Sequence, residues 1–195
     1  MLAAAEDAGI IHGGIKPEHI LVKDGEKGGI VKINNFGLGQ VHDTPGDIEH
    51  VYQNLLYLPP EALIQGRFNE KVDIWSLGAT IYEACTLEGP IFDEEGATDY
   101  RKAVIKNIRT KKPVAIDTQK YSIELEKLLR NMLDKDAIFR PTARHILKMP
   151  LIRLHRAQQI GMVDEQMIDA KEKERLTKLR NGGRIFRVVE GSLLT

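Results

Sequence analysis

The side chains able to do chemistry in this chain gather in two short places. One is His12-Gly13-Gly14-Ile15-Lys16-Pro17-Glu18-His19, the other Asn35-Phe36-Gly37. Lys16 is a loop cation of the kind that can meet a phosphate. Glu18 and Asp7 are the carboxylates nearest in sequence that could take a proton. Gly13 and Gly14 bring no side chain, and glycine can neither orient nor deprotonate a nucleophile. His19 offers imidazole, a poor ligand for magnesium, which prefers hard oxygen donors. Asn35 offers one neutral carbonyl. His12, His19, His42 and His50 lack any paired metal-ligand spacing, which argues against a zinc site. Cys85 has no partner for an internal disulfide and reads as a packing residue in a reducing compartment. Thr44 and Tyr52 are loop hydroxyls open to phosphorylation.

The elements that must position these groups follow from the apolar pattern. Residues 2 to 9 read as the end of a helix closed by Gly9. Ile20-Leu21-Val22 and Ile30-Val31-Lys32-Ile33 flank Asp24 to Gly29, a hairpin signal. Residues 38 to 58 show no regular period and read as a long functional loop. From Glu70 to Cys85 the apolar residues cover most faces, so this helix belongs mid-domain. Further helices are expected over about 97 to 109, 122 to 134 and 141 to 148. Ile123, Leu125, Leu128, Leu129, Met132 and Leu133 make one apolar stripe, and Pro141 suits a first helical position. Beyond residue 152 the chain turns into a charged helical tail, in part disordered, carrying a short stripe of Ile160, Val163, Met167 and Ala170.

Composition sets the bounds. The 195 residues suffice for one domain with a real core and are marginal for two. Lys plus Arg and Asp plus Glu both number 28, so no net field favours nucleic acid or an anionic membrane. No apolar run nears the roughly 18 residues of a spanning helix. The opening residues are too few and too acidic for a signal peptide. A cytoplasmic protein is expected.

The spelling resembles a protein kinase. His12 to His19 stands where kinases write H-R-D-L-K-P-E-N, Asn35-Phe36-Gly37 where they write D-F-G, and Pro59-Pro60-Glu61 where they write A-P-E. Asp73-Ile74-Trp75-Ser76-Leu77-Gly78 resembles the central-helix D-x-W-S-L-G, and Arg140-Pro141-Thr142-Ala143 the late R-P-[ST]. Phe68-Asn69-Glu70-Lys71 and Lys148-Met149-Pro150-Leu151-Ile152 resemble the NEK (never-in-mitosis-A-related) Ser/Thr kinases. The likeness covers residues 1 to 152 and implies a mainly α kinase C-lobe with a small β-hairpin. The Gly-rich loop, the β3 Lys and its helix Glu do not precede His12, so an absent N-lobe is expected.

The resemblance also assigns roles. Gly14 stands for the catalytic Asp, His19 for a metal-binding Asn and Asn35 for the D-F-G Asp, while Lys16 matches the phosphate-contacting lysine. Gly13 replaces an Arg, and Asn54 a Thr of the P+1 loop. His12 and Phe36 match members of the hydrophobic spine. Asp73 matches the residue that accepts catalytic-loop N–H bonds, and Glu61 with Arg140 a buried ion pair. Scaffold positions are kept while chemical ones are lost. The expected function is therefore a catalytically inactive NEK-like domain, a pseudokinase and not an enzyme, acting as a protein-binding or scaffolding module. The competing reading is a divergent Ser/Thr kinase that transfers phosphate from ATP, its N-lobe missing from this chain. No cofactor is expected, with ATP and Mg binding lost or very weak. The expected partners are proteins, such as an active kinase or a cytoskeletal protein, and not nucleic acid or membrane.

Overall fold

The computed structural model describes residues 1–23, 30–36, 54–66 and 69–153. Helix α1 (Leu2–Asp7) leads into an extended run and a 3₁₀ turn at Pro17–His19. Strands β1 (Ile20–Lys23) and β2 (Ile30–Ile33) form an antiparallel pair in the register Ile20↔Ile33 and Leu21↔Lys32. A 3₁₀ turn at Leu55–Tyr57 precedes α2 (Pro60–Gln65), α3 (Glu70–Thr86), α4 (Tyr100–Thr110) and α5 (Ile123–Met132). A last 3₁₀ turn, Ala137–Phe139, comes before α6 (Ala143–Lys148). The architecture is mostly helical with one small sheet. The expected tail and the loop hydroxyls Thr44 and Tyr52 lie outside the described residues, as do His42 and His50.

Helix α3 is the axis of the core. It is apolar on most faces, and Val72, Ile74, Trp75 and Ala79 are buried along it. Asn69 caps its start by accepting the Lys71 N–H at 3.0 Å. Its Gly78 lies against α5: a Cβ there would come 2.9 Å from the Met132 Cβ, so the close approach of the two helices requires glycine. The main cluster joins Trp75, Tyr82, Phe92, Val104, Ile108, Leu125, Leu129 and Leu133, and so draws α3, α4 and α5 together.

Three sequence expectations change at their edges. Helix α4 begins at Tyr100, not near residue 97, because the Asp99 side chain accepts the Lys102 N–H at 3.1 Å and fixes the start. Thr142 caps α6 through the His145 N–H at 3.0 Å, which leaves Pro141 outside the helix. Ile123, read as part of the α5 stripe, is 57% exposed, because it sits in the first turn just beyond the core contact.

The two ends of the described chain are tied together. Glu6 accepts the Ala143 N–H at 2.8 Å, and Arg144 pairs with Asp7. An acidic residue of α1 thus serves the open donors at the start of α6, as Thr142 does. Nothing in the periodicity of either segment announces this, because 137 positions separate the partners.

Candidate active site

The loop from His12 to His19 is held by one carboxylate. Asp73, in the first turn of α3, accepts the His12 N–H at 2.8 Å and the Gly13 N–H at 2.9 Å. Burial pushes its carboxyl above the usual range, against the two N–H bonds from His12 and Gly13 that pull it down. Bonds of this charged kind contribute about 1.5–3 kcal/mol each.

His12 is wholly buried, and its hydrogen bonds fix its tautomer. The Gly14 N–H donates to His12 Nδ1 at 3.2 Å, so Nδ1 is the acceptor and Nε2 carries the hydrogen. Nε2–H then donates to the Asn34 carbonyl at 2.7 Å. The ring bridges the loop to the end of β2. Phe36 meets it edge-on, with centroids 4.6 Å apart, yet Phe36 itself is 41% exposed. Its spine position is therefore half open rather than buried.

The positions read as chemical are arranged as follows. Gly13 has φ 73°, in the left-handed region, where glycine carries no Cβ penalty. Asn35 has φ 59°, a conformation asparagine tolerates better than most residues, and its side chain is exposed. His19 is buried and its Nδ1 donates to the Gly14 carbonyl at 2.5 Å. The ring at the would-be metal position is thus spent on bracing the loop. Lys16 lies half-buried beside it.

The second half of the site is the segment after Asn54. Ser76 Oγ donates to the Tyr57 carbonyl at 2.8 Å, and Tyr57 Oη donates to Glu83 Oε2 at 2.7 Å. Burial, then the Glu83 carboxylate, pushes the Tyr57 phenol far above its ordinary value, so it stays a donor. Helix α2 is locked by Glu61, which receives Arg140 Nη1 at 2.6 Å and Nη2 at 2.9 Å. The Arg140 side chain has no exposure, and its Nε also donates to the Asp134 carbonyl at 2.8 Å.

Sequence reasoning missed several of these groups. Ser76 was visible only as a letter in a motif. Tyr57 and Glu83 were given no role, and Lys71, read only as part of a NEK-like spelling, proves to donate its Nζ to the Arg140 carbonyl at 2.5 Å. Lys135 was missed as well. Its ammonium donates to the Ile108 carbonyl at 2.5 Å and sits 4.4 Å above the Phe92 ring and 4.9 Å above Trp75. Burial, then the charge of Arg140, lowers it to about 8, with Asp134 opposing.

This arrangement, in this chain order, has known counterparts. The protein kinase domain family matches residues 2–152, and the chain belongs to that family. A calcium and calcium/calmodulin-dependent serine/threonine-protein kinase of Lotus japonicus is 30% identical, covering 85% of this chain and 30% of its own. The serine/threonine-protein kinase Nek9 of Mus musculus is 33% identical over 77% of this chain and 15% of its own. Nek2 of Homo sapiens is 34% identical over 73% of this chain and 30% of its own. The chain thus spans less than a third of each of these relatives.

These matches correct the expectation that the chain is not an enzyme. A protein kinase family match together with relatives named as Ser/Thr protein kinases points to the kinase class of enzymes. The physical reason lies in the reaction. Phosphoryl transfer draws on positioning and charge stabilisation spread over a whole domain, so the side chains of one loop do not decide the class.

The family also implies magnesium and a nucleotide. Gly14, His19 and Asn35 offer a hard cation no carboxylate, and the one ring among them is turned to a carbonyl. Among the described residues no group of three or more His, Cys, Asp or Glu could hold a metal ion. These three positions do not fit a magnesium centre. No helix among the described residues is long and apolar enough to cross a membrane.

Proposed function

We propose that this chain supplies the protein-binding side of a NEK-like Ser/Thr protein kinase domain. The protein kinase family match and a mostly helical architecture with one small sheet support this. Nek9, Nek4 and Nek2 stand among the relatives at 30–34% identity, and Phe68 to Lys71 and Lys148 to Ile152 carry NEK-like spelling. On this reading Asp73, His12, Glu61 and Arg140 are scaffold residues, and Lys16 is the group that meets a phosphate.

One observation carries the reading. The segment Asn54 to Leu58 is anchored by Ser76 at the Tyr57 carbonyl and by Glu83 at the Tyr57 hydroxyl, and the helix that follows it is held by the Glu61–Arg140 pair. Two side-chain hydrogen bonds are spent on the short 3₁₀ turn itself, and two more on the helix that follows it. Asn54, Leu55, Tyr57 and Leu58 are themselves buried, so this anchoring suits a fixed floor beneath a surface offered to another chain.

The experiment is direct binding of labelled Ser/Thr-containing peptides to the whole chain, followed by fluorescence anisotropy. Tyr57→Phe deletes the bond to Glu83 and keeps the ring. It is expected to weaken the best peptides about fivefold while thermal unfolding moves by only a few degrees. Peptides that bind the variant and the parent equally would remove Asn54–Leu58 from the interface.

A further inference from the structure

The charge of this chain sums to zero, yet one surface is strongly one-signed. From residue 101 to residue 112 the sequence reads RKAVIKNIRTKK, with Arg101, Lys102, Lys106, Arg109, Lys111 and Lys112 and no acid. All six are exposed. Val104 and Ile108 turn α4 to the core, and at about 100° per residue Lys102, Lys106 and Arg109 fall on one stripe opposite them. Lys102 is paired with Asp99 at 2.9 Å. Lys106, Arg109, Lys111 and Lys112 enter none of the ion pairs among the described residues.

Solvation alone does not call for this pattern. Helix α5 shows the ordinary solution: Glu126 and Arg130 alternate in sign and pair with each other, with Glu124 and Lys127 beside them. A helix end gains from one or two cations in its last turn, which Arg109 and Lys111 already provide. A further unopposed charge repels its neighbours unless an anion arrives. Meanwhile α4 itself packs against α2 and the Leu55–Tyr57 turn, so the helix that carries the strip also backs the segment held in a fixed shape.

We infer that the outer face of α4 and the two lysines after it form a docking strip for an acidic peptide. This rests on the reading of the lobe as protein-binding and names the chemistry of what it binds. The strip is roughly 15–20 Å long, the reach of a peptide of about six extended residues. Asp93 and Asp99 lie at its near end, against Tyr100 and Lys102, and Glu94 accepts the Asn107 amide along its flank; these acids would repel a polyanion that ran on past the strip. A short run of Glu or Asp matches that layout, and a long nucleic acid strand does not.

The test uses the whole chain and a fluorescein-labelled peptide of about 12 residues alternating Glu and Gly. Its companions are the same peptide with Gln for Glu and a thymidine oligonucleotide of equal length. The Glu peptide is expected to bind more tightly than the Gln peptide and to weaken as salt rises from about 0.05 to 0.3 M. The double substitution Lys106→Glu with Arg109→Glu should cost it about tenfold, and Lys106→Gln with Arg109→Gln about threefold to fivefold. Lys127→Glu on α5 should change it less than about twofold.

Equal affinity for the Glu and Gln peptides would overturn the strip, as would equal losses in the α4 and α5 variants. Tighter binding of the oligonucleotide would overturn the choice of partner. Ser/Thr peptides that respond to Tyr57→Phe separate the two readings. If they bind and the Glu peptide does not, the strip fails alone. If neither binds, the protein-binding assignment fails with it.

Discussion

Two cations meet the ring of Trp75, the buried Arg140 and the half-buried Lys135, and their different surroundings give them different chemistry. Arg140 lies 4.9 Å from the Trp75 centroid and has a carboxylate partner in Glu61. Lys135 has aromatic faces, a carbonyl and a neighbouring Arg140, so its ammonium is poorly compensated and drops to about 8 from the model-peptide 10.5. The unfolded chain then binds more protons than the folded one between those values. The Lys135 contribution to stability therefore rises with pH across that window, and its penalty is fully present below about 8. A Lys135 Cε resonance that titrates with a midpoint near 8 would agree, and one near 10.5 would not. Lys135→Met should flatten the same part of the stability profile. Arg140 behaves oppositely on loss of its partner. Glu61→Ala leaves a wholly buried guanidinium without its carboxylate and is expected to cost about 3–5 kcal/mol in denaturant unfolding.

Among the elements, α3 does most of the positioning, because both halves of the site hang from it. Asp73 grips the His12–Gly13 loop, Ser76 the Tyr57 carbonyl and Glu83 the Tyr57 hydroxyl, all within one helix of 17 residues. A helix that is apolar on most sides can do this only if it is rigidly seated, and Gly78 is where α5 seats it. Gly78→Ala would drive a methyl into the Met132 Cβ and the Leu133 side chain. The expected loss is about 1–3 kcal/mol, read from the shift in thermal midpoint, with no change in the surface. An unchanged or raised midpoint would mean that α3 and α5 can slide apart freely. The β1–β2 pair is different in kind. Leu21, Val22 and Val31 are more than half exposed, so this sheet owes its place to the loop hydrogen bonds rather than to the core.

For the molecule as a whole, the core is shared among α3, α4 and α5, and the one tryptophan lies at its centre. Trp75 is fully buried and stacks on Phe92 with centroids 5.4 Å apart and planes 14° from parallel. Its emission should therefore report loss of the core, and far-ultraviolet circular dichroism the loss of helices. With α3, α4 and α5 packed on one cluster, the two transitions should coincide on heating. Separated midpoints would show helices that outlast their common core. Chain closure at this scale comes from the α1–α6 contacts of Glu6 and Asp7, which no local pattern announces.

The amino-acid order by itself determined the family, the helix-rich character and the place of the central helix. Those properties are written locally: in short contiguous spellings such as Asp73 to Gly78, and in an apolar pattern that recurs along one element. It misjudged the enzyme class, because the loss of side chains in one loop weighs less than the likeness of a whole domain. Pro141 fell on the wrong side of its helix edge, since the cap from Thr142 decides that boundary, and Ile123, though inside α5, lies beyond the packing contact. Only the tertiary structure decided that His19 turns to Gly14, that Phe36 is half open, and that Lys135 lies beneath two rings beside Arg140. Each of these depends on distances between segments far apart in the chain, and burial and partner geometry have no spelling along a single strand of letters.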